Sequence, residues 1–168
     1  EDVNIDPALM NRVMVAVLNG NPAALKEVLQ MPELRQHSAA YLNYGDERGN
    51  VLNSATSTAS FRDYPATMKI LLEHGLDPFH PAHKGALHYA VLIRAHRALK
   101  FLLELLVPAS LRDLSLDTPL HVAAKAGDDV STRLLLEFKA QVDAHNAKSE
   151  TPLHVALRSG SLPVAQTL

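Results

Sequence analysis

Apolar residues along this chain fall into short amphipathic runs bounded by Gly, Pro, Asn and Asp. "TMKILLEHGLD" at Thr67–Asp77, "ALKFLLELL" at Ala98–Leu106 and "STRLLLEFKAQVD" at Ser131–Asp143 each predict a helix with one leucine-rich face. In the last of these, Leu134, Leu135 and Leu136 are expected to bury the inner face. Ahead of each helix runs a stretch of smaller residues, as in "GALHYAV" from Gly85, "DTPLHVAAKAGDD" from Asp117 and "ETPLHVALRSGSL" from Glu150. These predict a first, narrower helix that turns back into the leucine-rich one. Upstream, "MVAVLNGNPAALKEVLQ" at Met14–Gln30 predicts two short helices broken at Gly20-Asn21-Pro22. The fold class is therefore all-α, built from antiparallel helix pairs.

The runs recur at a fixed step. Thr118 and Thr151 are 33 residues apart, and the same step places His88, His121 and His154 in one register. A fainter copy, "DERGNVLNSA" from Asp46 to Ala55, has Asn53 at the histidine position. Each unit makes local physical sense. Thr118 and Thr151 stand where a hydroxyl caps a helix, and Pro119 and Pro152 follow in the first turn, where a missing N–H costs nothing. Ala123, Ala124 and Ala156 are small enough for neighbouring helices to approach closely, and Gly127 and Gly160, like Gly20, suit a left-handed helix end. Leu120 and Leu153 are expected in the core. No single unit closes a core, so each must stack on its neighbours.

The string Thr-Pro-Leu-His-x-Ala-Ala-x-x-Gly, followed by a leucine pair, resembles the ankyrin repeat family. The likeness runs from Gly85 to Val164, weakens over Asp46–Pro78 and fades before that. It implies one ankyrin-repeat domain over residues 1–168: a solenoid of stacked antiparallel helix pairs with projecting loops, in about five units. These are a degenerate first unit at about 8–45, then 46–79, 80–112, 113–145 and 146–168, the last cut short at Leu168 in an array expected to continue. Several positions depart from the pattern. Arg94 stands where a helix-ending glycine is expected, and Leu106 and Lys139 stand at a later one. A left-handed backbone costs such residues about 1 kcal/mol, so these turns are expected to take another geometry. "MPELRQHSAAYLNYG" at Met31–Gly45 is a long connection, and Thr56–Ala66 is an insertion into the second unit.

Composition narrows the function. The 168 residues are 47% hydrophobic and carry a formal net charge of −2, so no basic excess draws the chain to nucleic acid or to an anionic membrane. Without cysteine there is no disulfide framework and no thiolate chemistry. Apolar runs such as Phe101–Val107 are too short to span a bilayer. No phosphate-binding glycine loop, zinc-protease motif or nucleophile elbow is present, so the chain is expected not to be an enzyme and to need no cofactor. The repeated histidines cannot share a metal. Stacked helices lie about 8–10 Å apart, whereas zinc ligands sit about 2 Å from the ion. With the family resemblance, each imidazole is expected to bond its own unit's threonine and a loop carbonyl of the next unit. His80 and His83 are expected as exposed loop histidines able to meet a metal only in passing, without further ligands in view.

If the repeated letters serve stacking, recognition falls to the letters that differ between copies. The ankyrin architecture implies finger-like loop tips and a concave face formed by the first helices. The residues expected to touch a partner are then Glu47, Arg48, Lys84, Leu114, Asp117, Lys148 and Glu150 on the fingers. Leu92, Ile93, Lys125 and Arg158 belong on the first helices, and Phe79 and Phe138 at groove-facing positions. Leu92, Ile93, Leu114 and Leu116 either form an apolar contact patch or pack against a neighbouring finger. The function expected is a non-catalytic protein–protein interaction module that scaffolds, targets or regulates a larger protein. The alternative is a substrate-selecting domain of an enzyme whose catalytic part lies elsewhere, including a bacterial protein delivered into host cells. The partner is expected to be a protein or peptide rather than nucleic acid or membrane. The chain is expected to be a monomer inside the cell, in cytoplasm or nucleus, or secreted into a host cell if bacterial.

Overall fold

A computed structural model describes residues 4–46, 49–58, 64–80, 83 and 85–168. The chain divides into two compact units, Glu1–His83 and Lys84–Leu168. Helices dominate both, as the apolar periodicity predicts. Glu47, Arg48, Lys84 and the middle of the Thr56–Ala66 insertion lie outside the described residues.

In the first unit, α1 (Pro7–Leu18) and α2 (Pro22–Leu29) form the expected broken pair. Asp6 caps α1 by accepting from the Ala8 amide, and Asn21 caps α2 by accepting from Ala23 and Ala24. The long connection is itself helical, with α3 (Pro32–Arg35) and α4 (Ser38–Leu42). A two-residue ladder follows, β1 (Gly45–Asp46) antiparallel to β2 (Gly49–Asn50). Then come α5 (Val51–Ser57) and α6 (Tyr64–Glu73). Helix α1 packs on α2 and α5, and α2 packs on α6. Val13, Val17, Leu25, Leu29, Leu52, Met68 and Leu71 are fully buried between them. The connection docks on the end of α6: Asn43 donates to the Gly75 carbonyl at 2.8 Å and accepts from the Asp77 amide at 2.7 Å. Gly75 is required there twice over. Its φ is +98°, and a Cβ would lie 2.7 Å from the Ala39 side chain.

The second unit stacks three helix pairs: α7 (Ala86–Leu92) with α8 (His96–Glu104), α9 (Pro119–Ala126) with α10 (Asp129–Glu137), and α11 (Pro152–Arg158) with α12 (Leu162–Thr167). First helices contact first helices and second helices contact second helices. Leu87, Leu99, Leu102, Leu120, Leu135 and Ala156 are wholly buried. Leu134 and Leu136, expected inside with Leu135, are only half-buried. Leu153 corrects another expectation: it is 41% exposed, whereas Leu120 is 0% exposed. The two leucines occupy the same place in their units, and the α11–α12 pair stacks on the α9–α10 pair that holds Leu120.

The non-glycine helix ends also differ from expectation. Arg94, Leu106 and Lys139 adopt φ of 55°, 63° and 62°, close to the 64° of Gly127. Each closes its helix as Gly127 does. The amide after the turn reaches back to a carbonyl five residues earlier: Ala95 to Ala90, Val107 to Leu102 and Ala140 to Leu135, like Asp128 to Ala123. Satisfying those otherwise unpaired carbonyls offsets the backbone strain. Arg94 does more, because its guanidinium donates to the Ala126 carbonyl at 2.7 Å and so caps the end of α9 in the next pair.

Candidate functional site

The loops before α9 and α11 fold as matching fingers. Asp113 accepts from the amides of Ser115 and Asp117, and Asn146 accepts from those of Lys148 and Glu150. This is the Asx geometry in which a short side chain replaces a backbone turn partner. The fingers close with Asp113 N–H on the Asp117 carbonyl and Asn146 N–H on the Glu150 carbonyl, both at 3.0 Å. Leu116 and Ser149 sit at left-handed φ of 58° and 59° to make the bend. The two fingers are joined: the Ala147 amide donates to the Ser115 carbonyl at 3.0 Å, and the Asn146 side-chain amide donates to Asp117 Oδ1 at 2.8 Å.

The repeated histidines hold the fingers from below. Thr118 donates its backbone N–H to His121 Nδ1 at 3.1 Å, which makes Nδ1 an acceptor and leaves the ring proton on Nε2. The Thr118 hydroxyl lies 2.9 Å from the same Nδ1, and Nε2–H donates to the Glu150 carbonyl at 3.0 Å. This is the expected bridge from a unit's threonine to the next unit's loop. His88 makes half of it. Its Nε2 meets the Asp117 carbonyl at 2.8 Å, but Gly85 offers no hydroxyl and the buried Nδ1 has no partner. His154 keeps Thr151 at 2.8 Å. His83 departs from expectation: it is 1% exposed, with Nδ1 bonded to the Asp77 carbonyl at 2.7 Å. Burial, opposed by that bond and aided by the nearby His80, lowers its pKa.

Between the two fingers and the last turns of α9 and α11 lies a cleft of about 280 Å³. It gathers five of the residues expected to touch a partner: Asp117, Lys125, Lys148, Glu150 and Arg158. Ser115, His121, Asn146, Ala147 and Val155 complete its lining. Arg158 grips Glu150 with two bonds of 3.0 Å. Burial alone would raise the Glu150 pKa, but the Asn146 amide and the charges of Arg158 and Lys148 outweigh it and hold the carboxyl below its ordinary range. Leu92 and Ile93 end α7 in exposed positions, Leu92 at the place that Lys125 and Arg158 fill on the next two first helices. Leu114 is 105% exposed at its fingertip, so it packs on no neighbouring finger. Phe138 is half-buried at the end of α10 and does not line the cleft. Phe79 is exposed within the first compact unit.

Asn146 escaped sequence reasoning because an Asx residue in a loop reads as a solvated turn. Its signal was present: Asp113 stands 33 residues earlier, so the capping side chain repeats with the frame. Away from the cleft, His96 Nε2 meets the buried Asp128 carboxylate at 2.9 Å, and the Ser131 hydroxyl and amide donate to the same carboxylate. Among the described residues, no helix is long and apolar enough to cross a membrane. A family model for ankyrin repeats (3 copies) matches residues 104–168. No curated protein matches the chain.

Proposed function

We propose that this chain, whose residues 104–168 match a family model for ankyrin repeats, binds a protein partner through the fingers and first helices of the second compact unit. Ankyrin repeats are in general protein–protein interaction modules and typically non-catalytic. The observation that carries the proposal is the convergence of Asp117, Lys125, Lys148, Glu150 and Arg158 on one cleft. Lys148 stands where the preceding repeat has Ser115, and Lys125 and Arg158 stand where an earlier repeat has Leu92, so stacking does not dictate those letters. Two features suit recognition. The fingers are braced by their own hydrogen bonds and by His121, so little ordering is lost on binding. Leu114 projects beside a polar cleft, the mixture of apolar anchor and charged rim common at interfaces.

A photo-crosslinking residue placed at position 114 tests this in the cells of origin. Capture of one protein from position 114, and not from exposed Glu137 on the second helix of the same pair, is the expected result. Equal capture at both positions, or capture only at Glu137, would move the interface off the fingers.

A further inference from the structure

The charges in the cleft are unequally satisfied, and the inequality specifies a ligand. Glu150 is held by both guanidinium nitrogens that face it, and Asp117 accepts from Asn146. Among the described residues, neither Lys125 nor Lys148 stands in an ion pair, and both are exposed. Three cations, Lys125, Lys148 and Arg158, therefore face two carboxylates that already have donors. A ligand gains most by supplying acceptors to the two lysines. Leu114, the residue before Ser115 of the lining, is bare, and one first-helix position changes from Leu92 through Lys125 to Arg158. The surface thus runs from aliphatic to cationic along the stack.

We infer that the cleft takes an acidic peptide segment of the protein partner, with its carboxylates on Lys125 and Lys148 and an adjoining aliphatic side chain against Leu114. This rests on the finger-and-groove reading above and names the chemistry it selects. A volume of about 280 Å³ admits side chains of a short segment rather than a folded element. A carboxylate is a compact acceptor that can meet one lysine while avoiding Asp117. A nucleic-acid strand would press successive phosphates against Asp117 and Glu150, and no Phe or Tyr lines the cleft for bases to stack on.

The test uses the whole chain and fluorescence anisotropy with a labelled peptide, Leu-Leu-Gly-Glu-Glu-Glu. Its counterpart has glutamine for each glutamate. The acidic peptide is expected to bind about tenfold more tightly than the glutamine peptide, and to weaken as salt rises from about 0.05 to about 0.5 M. Lys125→Glu combined with Lys148→Glu is expected to remove that preference. Both lysines are exposed, so the double variant should keep the helical circular dichroism of the parent, with a melt lowered only slightly by the added repulsion at Glu150. Equal binding of the two peptides, no binding of the acidic one, or an unchanged preference in the double variant overturns the inference. So does a short single-stranded DNA that displaces the acidic peptide and depends on the same lysines. Crosslinking from position 114 separates the two levels: capture that survives the charge reversal leaves the finger interface standing and sinks its acidic specificity. Loss of capture on charge reversal, with the fold intact, supports both.

Discussion

The two compact units solve one problem by different means. In residues 84–168 a single device recurs: a first helix, a left-handed turn, a second helix and a finger that the preceding histidine braces. In residues 1–83 the helix pairs are joined by two extra short helices and a two-residue ladder, and the histidine position is held by Asn53. The difference shows in buried polar groups. Asn53 Oδ1 and Thr67 Oγ1 in the first unit have no hydrogen-bond partner. His88 Nδ1 is the corresponding case in the second, at the one repeat whose threonine is missing. A regular frame pairs its polar atoms once and copies the solution. An irregular one must find each partner separately, and an unmet buried group costs about 1–3 kcal/mol.

Core truncation should give the largest effect and should ignore regularity. Leu52 and Leu120 are each 0% exposed, one in each unit. Replacing either by alanine is expected to cost about 2–5 kcal/mol in urea unfolding. Leu153→Ala should cost under about 1 kcal/mol, since its side chain is already 41% exposed. If Leu153→Ala costs as much as Leu120→Ala, burial by the stacked neighbour is not what separates them.

Acid should separate the units next. His83 in the first unit has its pKa lowered below 6.5 by burial. The unfolded chain then takes the proton first, so this unit should lose stability as pH falls below about 6.5, until His83 itself titrates. In the second unit burial pushes Asp128 upward, but the bonds from Ser131 and His96 outweigh it and hold its pKa below 3.8. Its contribution is complete above that value and lost only as pH falls further. Hydrogen exchange corrected for intrinsic rates should show protection in residues 1–83 declining at mild acid while residues 84–168 hold to about pH 4. His83→Gln should flatten the first decline and Asp128→Asn the second. At neutral pH, Asp128→Ala should cost about 1.5–3 kcal/mol, because the carboxylate is 2% exposed and its loss strands the Ser131 donors. Simultaneous decline of both regions near pH 4 would deny any role to His83.

What the sequence revealed follows the same divide. The helix pairs of the second unit were legible because copies 33 residues apart mark the stacking letters. The histidine bridge was legible through the ankyrin resemblance, and five of the residues named from that resemblance line one cleft. In the first unit that repetition is weak, and the helices α3 and α4 looked like plain connection. Other failures were physical. Burial of Leu153 depends on a neighbouring helix pair, not on the letter. Left-handed turns at Arg94, Leu106 and Lys139 depend on closing bonds to carbonyls five residues earlier than the amide that makes them. Local propensity opposes such turns, and the packed helix pair overrides it. Burial of His83 gave no sequence signal at all, since "HPAH" reads as a polar loop.

The smallest effect offers the sharpest test of regularity. Thr118 and Thr151 have ψ of 164° and 165°, whereas Gly85 has ψ of 6°. Proline explains the contrast, because its ring disfavours the helical region for the residue before it. Pro119 and Pro152 hold their threonines extended, with the hydroxyl beside the imidazole. At Gly85 the next residue is Ala86, so both the hydroxyl and the constraint that would aim it are missing. Gly85→Thr alone meets no steric obstacle, since nothing lies within 4 Å of an added Cβ. It should nevertheless change stability little, as the hydroxyl would start from the wrong ψ. Gly85→Thr with Ala86→Pro should restore the geometry, pair His88 Nδ1 and stabilise the fold by about 0.5–1.5 kcal/mol, including the lower entropy of the unfolded chain. The urea midpoint of the double variant should rise above that of either single variant. If Gly85→Thr achieves the whole gain alone, proline is not what sets the bridge. If Ala86→Pro does, the gain belongs to the unfolded state, and His88 gains nothing from a threonine.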